Sequence, residues 1–220
     1  MDLPQQRERV TVDGLGNIGQ GKWKLKNETE IRSKDDYKNI EKTKVNWTAV
    51  NSEKWHNNFD KITDNDVVNN AIRDVSEQML KHRDGSFYES MYFINSKTGK
   101  IEGFNTTSNL KLKVSLNDKM KKALDNPDLE LIGIHNHPYS SIPSLGDLNA
   151  IAKRSNQSMG VIICHDGTIF TYTRPKHDIR EQIYNASLTK YKRYSKITME
   201  DKGFNELSEI YDFEFRRYEV

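Results

Sequence analysis

Two histidines and an aspartate stand close together past the middle of the chain, at His135, His137 and Asp147. The histidines follow an apolar run that predicts a buried strand, and one residue separates them, so both imidazoles can point to the same side. Two imidazoles and one carboxylate are a common ligand set for catalytic zinc, with a fourth position left for water. The three residues therefore predict a zinc centre, although Asp147 taken singly is also typical of a helix N-cap.

The histidines belong to the motif His135-Asn136-His137-Pro138, which is followed by Ser144-Leu145-Gly146-Asp147. At this spacing the two motifs resemble the signature of the JAB/MPN (JAMM) metallopeptidases, in which a glutamate precedes His-x-His-Pro and Ser-x-x-Asp. The resemblance implies a zinc metallopeptidase or isopeptidase, with His135, His137 and Asp147 as the metal ligands. The commonest family members have one more residue between the motifs, which indicates a shortened loop in this chain.

Hydrolysis of an amide also needs a group that takes a proton from water and passes it to the leaving amine. Glu89 stands at the start of a predicted strand directly after a predicted helix, and the resemblance gives it this role of catalytic base. Glu102 is the rival, but the family has no such residue on the next strand. The resemblance makes Ser144 a hydrogen-bond donor to the oxyanion, and its position also predicts a helix N-cap.

The composition narrows the possible partners and compartments. The 220 residues are 35% hydrophobic and 30% charged, with a formal net charge of +2. So weak a positive balance does not favour binding to nucleic acid or to an anionic membrane, and no apolar run approaches the roughly 18 residues of a membrane span. The single cysteine, Cys164, excludes an intramolecular disulfide and predicts a buried core residue. These features predict a cytoplasmic protein, or one secreted into a target cell if it is a toxin domain.

The first 45 residues are polar and predict a linker or extension. They include Gly14-Leu15-Gly16-Asn17-Ile18-Gly19, which matches the dinucleotide-binding fingerprint. That fingerprint requires an apolar-periodic helix after the third glycine, whereas mostly charged residues follow here. A flexible linker or a loose hairpin is the favoured interpretation, and we expect no cofactor other than Zn²⁺.

Residues 46–175 predict one α+β domain in which helices flank a central mixed sheet, and the resemblance implies the JAB/MPN-like (cytidine-deaminase-like) version of that fold. Apolar periodicity predicts a helix from Asp64 to about residue 83, capped by Asp64 or Asp66. The remaining predicted elements are strands over 87–94, 100–104 and 110–114, a helix opening at 115–118, the strand leading to the histidines, a helix over 145–155, and strands over 159–164 and 168–173.

Residues 176–220 predict a C-terminal helical extension that packs on the domain. Its last amphipathic segment contains Phe204, Leu207, Ile210, Phe213 and Phe215. Such helices typically cover an exposed edge or face of a sheet, and a docking surface for a partner protein is the alternative.

Three functions follow from these patterns. The first is a zinc-dependent peptidase acting on a protein or peptide, including a ubiquitin-like conjugate. The second is a metal-free MPN-type interaction scaffold. The third is a nucleic-acid role like that of the RadC branch, which the near-neutral charge disfavours. Short phrases such as His165-Asp166-Gly167-Thr168 also resemble JAB-like domains of phage head-morphogenesis proteins and bacterial polymorphic toxins.

Overall fold

The computed structural model describes residues 7–9, 22–25, 31–33 and 40–220 of the chain, with side chains from residue 42 onward. Three short strands, β1 (Arg7–Arg9), β2 (Lys22–Leu25) and β3 (Ile31–Ser33), form an antiparallel sheet in that order. The glycine-rich stretch 14–19 lies outside the described residues, so the expected absence of a dinucleotide site there stays a prediction.

A six-stranded sheet occupies the centre of the remaining chain, in the order β5-β4-β6-β7-β8-β9. Its strands are β4 (Met91–Asn95), β5 (Ile101–Asn105), β6 (Leu131–His137), β7 (Gln157–Cys164), β8 (Ile169–Thr173) and β9 (Phe215–Tyr218). The neighbours β6 and β7 run parallel, and every other neighbouring pair is antiparallel. The sheet is therefore mixed, and helices flank it, as the sequence predicts for an α+β protein.

Helices before the sheet cover one of its faces. They are α1 (Trp47–Val50), α2 (Glu53–Phe59) and α3 (Asp66–Arg83), after a short 3-10 helix at Ile40–Thr43. Their apolar side chains pack against the strand residues that point to this face, and together they form one buried cluster. In this cluster Trp55, Phe59, Ile72 and Met79 are fully buried. The helix α3 was predicted, but its N-cap is Asn65 rather than Asp64 or Asp66.

The opposite face, which carries the two histidines, has two separate apolar clusters. One lies around α4 (Asp118–Leu124) with Met91 and Phe93, and the other lies around α5 (Leu145–Ala152) with Ile162 and Phe170. Because the clusters stand apart, the sheet between them is open, and a cavity of about 610 Å³ occupies this space. The fold therefore places the motif residues at the floor of a cavity.

One strand prediction on this side was wrong, and a second strand begins later than predicted. Residues 110–114 form only an isolated bridge at Lys111, because Leu112 adopts a left-handed φ of 52° that a strand cannot accommodate. The strand predicted over 87–94 begins at Met91. Before that point the chain makes only the isolated bridge of Tyr88 to Lys111, and the side chains of Arg83 and Asn136 bind the backbone of 88–90.

The C-terminal segment contributes both helices and a strand. The helices α6 (Glu181–Lys190) and α7 (Lys196–Tyr211) pack over the α5 side of the sheet, where Phe204 and Leu207 are fully buried. The predicted last amphipathic segment does not stay helical. Asp212 turns the chain with a φ of 53°, and β9 then pairs with β8 at the edge of the sheet. Among the described residues, no helix combines the length and apolar character that a membrane crossing requires.

Candidate metal centre

The structure brings the three predicted ligand residues together. The Nε2 atoms of His135 and His137 lie 3.0 Å apart. Asp147 Oδ1 lies 3.4 Å from the Nε2 of His135, and Asp147 Oδ2 lies 3.5 Å from that of His137. Both imidazoles are almost fully buried, whereas Asp147 is partly exposed. The shortened loop between the two motifs therefore still brings Asp147 to the imidazoles.

These separations fit the demands of a zinc ion. Four ligand atoms at about 2.0–2.1 Å around zinc in a tetrahedron stand about 3.3–3.4 Å from one another. The observed separations of 3.0–3.5 Å are close to that edge length. The donor set is also of the right chemical type, since imidazole nitrogen and carboxylate oxygen are both ordinary zinc ligands. The three side chains can therefore close around one ion with little movement.

Local structure fixes the orientation of the second imidazole. The Nδ1 of His137 lies 2.8 Å from the Ser141 carbonyl oxygen, which can only accept a hydrogen bond. The Ser141 hydroxyl also lies 3.0 Å from Nδ1. In the neutral tautomer that donates from Nδ1 to the Ser141 carbonyl, the lone pair of Nε2 is directed at the other two ligands and is available to a metal. The chain after Pro138 makes this possible, because the turn at Ser140, with a φ of 53°, brings the Ser141 carbonyl back towards the ring.

A capping box at the start of α5 holds the carboxylate. Ser144 is the N-cap, and its hydroxyl accepts a hydrogen bond from the Asp147 amide at 3.2 Å. In return, Asp147 Oδ2 accepts hydrogen bonds from the Ser144 amide and hydroxyl, both at 2.7 Å. This arrangement leaves Oδ1 as the oxygen with the fewest competing partners for a metal. The hydroxyl that the family resemblance assigns to an oxyanion is here donated to Asp147.

Glu89 lines the same cavity, two residues before β4. His135 and His137 line this cavity too, and both imidazoles are near enough to act on the charge of the Glu89 carboxyl. Its side chain is buried, with 7% of the residue exposed. Glu102, the rival base, lies on β5, pairs with Lys100 at 3.3 Å and does not line the cavity.

Burial and the neighbouring imidazoles shift the pKa values of the two carboxyl groups, Glu89 and Asp147, in opposite directions. Burial raises the pKa of Glu89 above its ordinary value, and the nearby imidazoles of His135 and His137 only partly oppose this effect. Burial would also raise the pKa of Asp147, but the charges and hydrogen bonds of the same imidazoles outweigh it and hold that pKa well below its ordinary value. Asp147 is therefore suited to bind a cation as a carboxylate, whereas Glu89 is suited to exchange a proton.

A buried polar network behind the site was not predicted from the sequence. Asn136, between the two histidines, bonds to the backbone on both sides of Glu89 and donates to His165 Nε2 at 3.1 Å. Arg83, in the last turn of α3, donates to the Glu89 carbonyl at 3.3 Å and to the Ser90 hydroxyl at 2.9 Å. Burial lowers the pKa of His165, which favours the neutral ring that this network requires. Cys164, which precedes His165 in the chain, is a buried free thiol, as predicted.

No family model matches this chain, and no curated protein or solved structure matches it either.

Proposed function

We propose that the protein is a zinc-dependent hydrolase of peptide or isopeptide bonds, of the JAB/MPN type. The observation that supports this function most directly is the convergence of His135, His137 and Asp147 at zinc-ligand spacing, with Glu89 in the same cavity. When bound, zinc supplies a water of lowered pKa and polarises the carbonyl of the substrate.

The residues of the chain carry the proton transfers. Glu89 accepts a proton from the attacking water and returns it to the amine that leaves, so one carboxylate acts first as base and then as acid. A raised pKa suits both steps, because the protonated form then persists long enough to serve the leaving group. Asp147 keeps its negative charge throughout and holds the ion together with the neutral imidazoles.

The form of the cavity favours a substrate with an extended chain. It is open to solvent along the sheet, and its mouth carries the exposed apolar residues Leu112 and Tyr139. These two side chains give an extended chain apolar contacts beside the polar centre. We infer that the substrate is a peptide or the extended end of a protein, such as a ubiquitin-like conjugate.

The test begins with metal content and one isosteric change. We expect about one zinc per chain, lost on treatment with a chelator and restored by zinc. Glu89→Gln should keep the zinc and abolish hydrolysis across a panel of peptides and ubiquitin-like conjugates. Glu102→Gln is the matched control, because it removes the other nearby carboxylate, which lies outside the cavity, and it should leave hydrolysis unchanged.

Two results would count against the proposal. Purified protein that folds normally but binds no zinc even when zinc is added would favour the interaction scaffold. Hydrolysis that continues in Glu89→Gln would remove Glu89 from its role while leaving the metal centre in place.

A further inference from the structure

A second polar site lies in the cavity. It is next to the metal ligands, at the row of paired residues that precedes His135 by two positions on β6. Phe93, Gly133, Gly160 and Tyr172 are paired side by side across four strands. Gly133 stands two residues before His135, which is about 6.6 Å along a strand. The row therefore forms a trough that runs across the sheet next to the candidate metal centre.

Both glycines are required for this trough. A Cβ on Gly160 would overlap the ring of Tyr172, and a Cβ on Gly133 would overlap the amide of Gln157. The missing side chains let Tyr172 and Gln157 lie flat on the sheet instead of standing away from it. Tyr172, Gln157 and the nearby Arg154 consequently line the cavity.

Arg154 provides a positive charge with unused hydrogen-bond donors. It follows α5 by two residues, and it lines the cavity together with Asp147. Its Nη1 donates to Gln157 Oε1 at 3.0 Å, and its guanidinium lies 5.7 Å from the centre of the Phe93 ring. Within the described part of the chain, no carboxylate pairs with this guanidinium. Arginine stays protonated in proteins, so the charge has no fixed counterion.

Tyr172 adds a second donor. Only 3% of the residue is exposed, and its ring is held over Gly160. Its hydroxyl has no hydrogen-bond partner among the residues that the structure describes. Because Tyr172 lines the cavity, this unpartnered hydroxyl can donate to a ligand or to water there.

From this arrangement we propose that Arg154 and Tyr172 bind a carboxylate of the substrate, about two residues from the bond that is cut. The part that this site plays in hydrolysis rests on the proposed function, whereas its ability to bind a carboxylate does not. One guanidinium and one phenol match the single charge of a carboxylate, and arginine binds carboxylates through two parallel hydrogen bonds. The carboxylate is either a chain terminus or an acidic side chain.

Two pairs of short peptides separate these sources. Acetyl-Gly-Gly-Gly and its C-terminal amide test a terminal carboxylate, and acetyl-Gly-Asp-Gly-amide and its Asn counterpart test a side chain. Each is titrated by NMR into the zinc-loaded Glu89→Gln protein and into the metal-free protein. In at least one pair we expect the carboxylate to bind at least about tenfold more tightly than its neutral partner, with or without zinc.

Substitutions then assign the preference to the two residues. Arg154→Gln should remove it, and Tyr172→Phe should reduce it severalfold, because Phe keeps the ring and loses only the hydroxyl. Lys153→Gln is the matched control, since it removes the same charge one residue away, where the side chain pairs with Asp178 at 3.2 Å. It should leave the preference unchanged.

The outcomes keep this inference apart from the proposed function. Equal binding of carboxylate and neutral peptides would overturn the inference. A carboxylate preference that needs zinc and survives Arg154→Gln would also overturn it, because the peptide would then bind the ion directly. A preference that depends on Arg154 in a protein without hydrolytic activity would support the site and count against the hydrolase. Hydrolysis without any carboxylate preference would support the hydrolase and count against the site.

Discussion

The side chain of Asn136 accepts a hydrogen bond from the Ser90 amide at 2.8 Å, on the face of β6 opposite to the two imidazoles. Its Nδ2 also donates to the Tyr88 carbonyl at 3.3 Å. Glu89 lies between these two backbone contacts, so one amide side chain fixes both neighbours of the proposed base. Asn136, which lies between the two histidine ligands in the sequence, therefore connects their strand to the backbone that carries Glu89.

Replacing Asn136 tests this connection. We expect Asn136→Ala to lower the free energy of unfolding by about 1–3 kcal/mol, because it leaves a buried backbone amide and carbonyl without partners. Hydrolysis should fall roughly tenfold to a hundredfold while zinc binding is retained, since Glu89 loses its position but the ligands do not. Denaturant unfolding, zinc analysis and rates measured on one preparation check the three effects together.

The control for this change is Asn95→Ala, which removes a side chain that accepts two backbone hydrogen bonds in an exposed turn far from the cavity. It should affect stability without a specific loss of activity. If Asn136→Ala lost zinc and activity in parallel, the network would support the whole site rather than Glu89.

The sequence anticipated those parts of the molecule that local patterns determine. The apolar period of α3 and the succession of strands around the histidines both appear in the structure. The capping box at Ser144 also follows from its local sequence. Each of these features depends on residues within a few positions of one another.

Features that depend on tertiary neighbours were missed. Asn136 and His165 are 29 residues apart, and no periodicity relates them. Tyr172 and Gly160 face each other only because β7 and β8 pair in one register. The strand β9 had a readable signal, because Phe213 and Phe215 alternate at a spacing of two after the helical spacing of Phe204 and Leu207 ends.

Ser144 has two separable roles, and Ser144→Ala distinguishes them. Loss of the cap should reduce stability by about 1 kcal/mol, and loss of the bond to Asp147 should weaken zinc binding about tenfold. If the hydroxyl also serves an oxyanion, the rate at saturating zinc should remain about 10²–10³-fold low. Calorimetric zinc titration and rates at saturating zinc measure the two effects.

Ser195→Ala is the matched control, because Ser195 caps α7 through the same type of bond, to the Thr198 amide at 3.3 Å. It should lose similar stability and no zinc affinity. A full recovery of the rate of Ser144→Ala in excess zinc would restrict Ser144 to holding Asp147.

The glycine trough makes a prediction about stability. We expect Gly160→Ala to destabilise the protein by about 1–3 kcal/mol, because the new methyl group overlaps the buried ring of Tyr172. Tyr172→Ala removes the ring that the methyl group overlaps. The effects of Gly160→Ala and Tyr172→Ala on the free energy of unfolding should therefore be strongly non-additive, and Gly160→Ala should cost much less stability when Tyr172→Ala is also present. Urea unfolding of the four proteins in this cycle gives the coupling free energy.

A second glycine gives the opposite expectation. A Cβ on Gly146, in the first turn of α5, would meet only the Ser144 hydroxyl oxygen, at 3.4 Å. Gly146→Ala should therefore be neutral or stabilise the helix by up to about 1 kcal/mol. Equal destabilisation by the alanines at positions 146 and 160 would contradict the steric explanation.

The protein should lose stability in alkaline solution. Burial raises the pKa values of Cys164 and Tyr172 well above their ordinary values. Above those ordinary values the unfolded chain releases the protons while the native protein keeps them, so stability falls as pH rises, by up to about 1.4 kcal/mol per pH unit for each group.

Urea unfolding between pH 7 and 10.5 should show a slope that begins near pH 8.5 and steepens near 10. Tyr172→Phe should reduce the steeper part without removing it, because burial also raises the pKa values of Tyr92 and Tyr184. Tyr139→Phe, at an exposed position, should leave the steeper part unchanged. A free energy of unfolding that stays constant to pH 10.5 would contradict the burial of Cys164 and Tyr172.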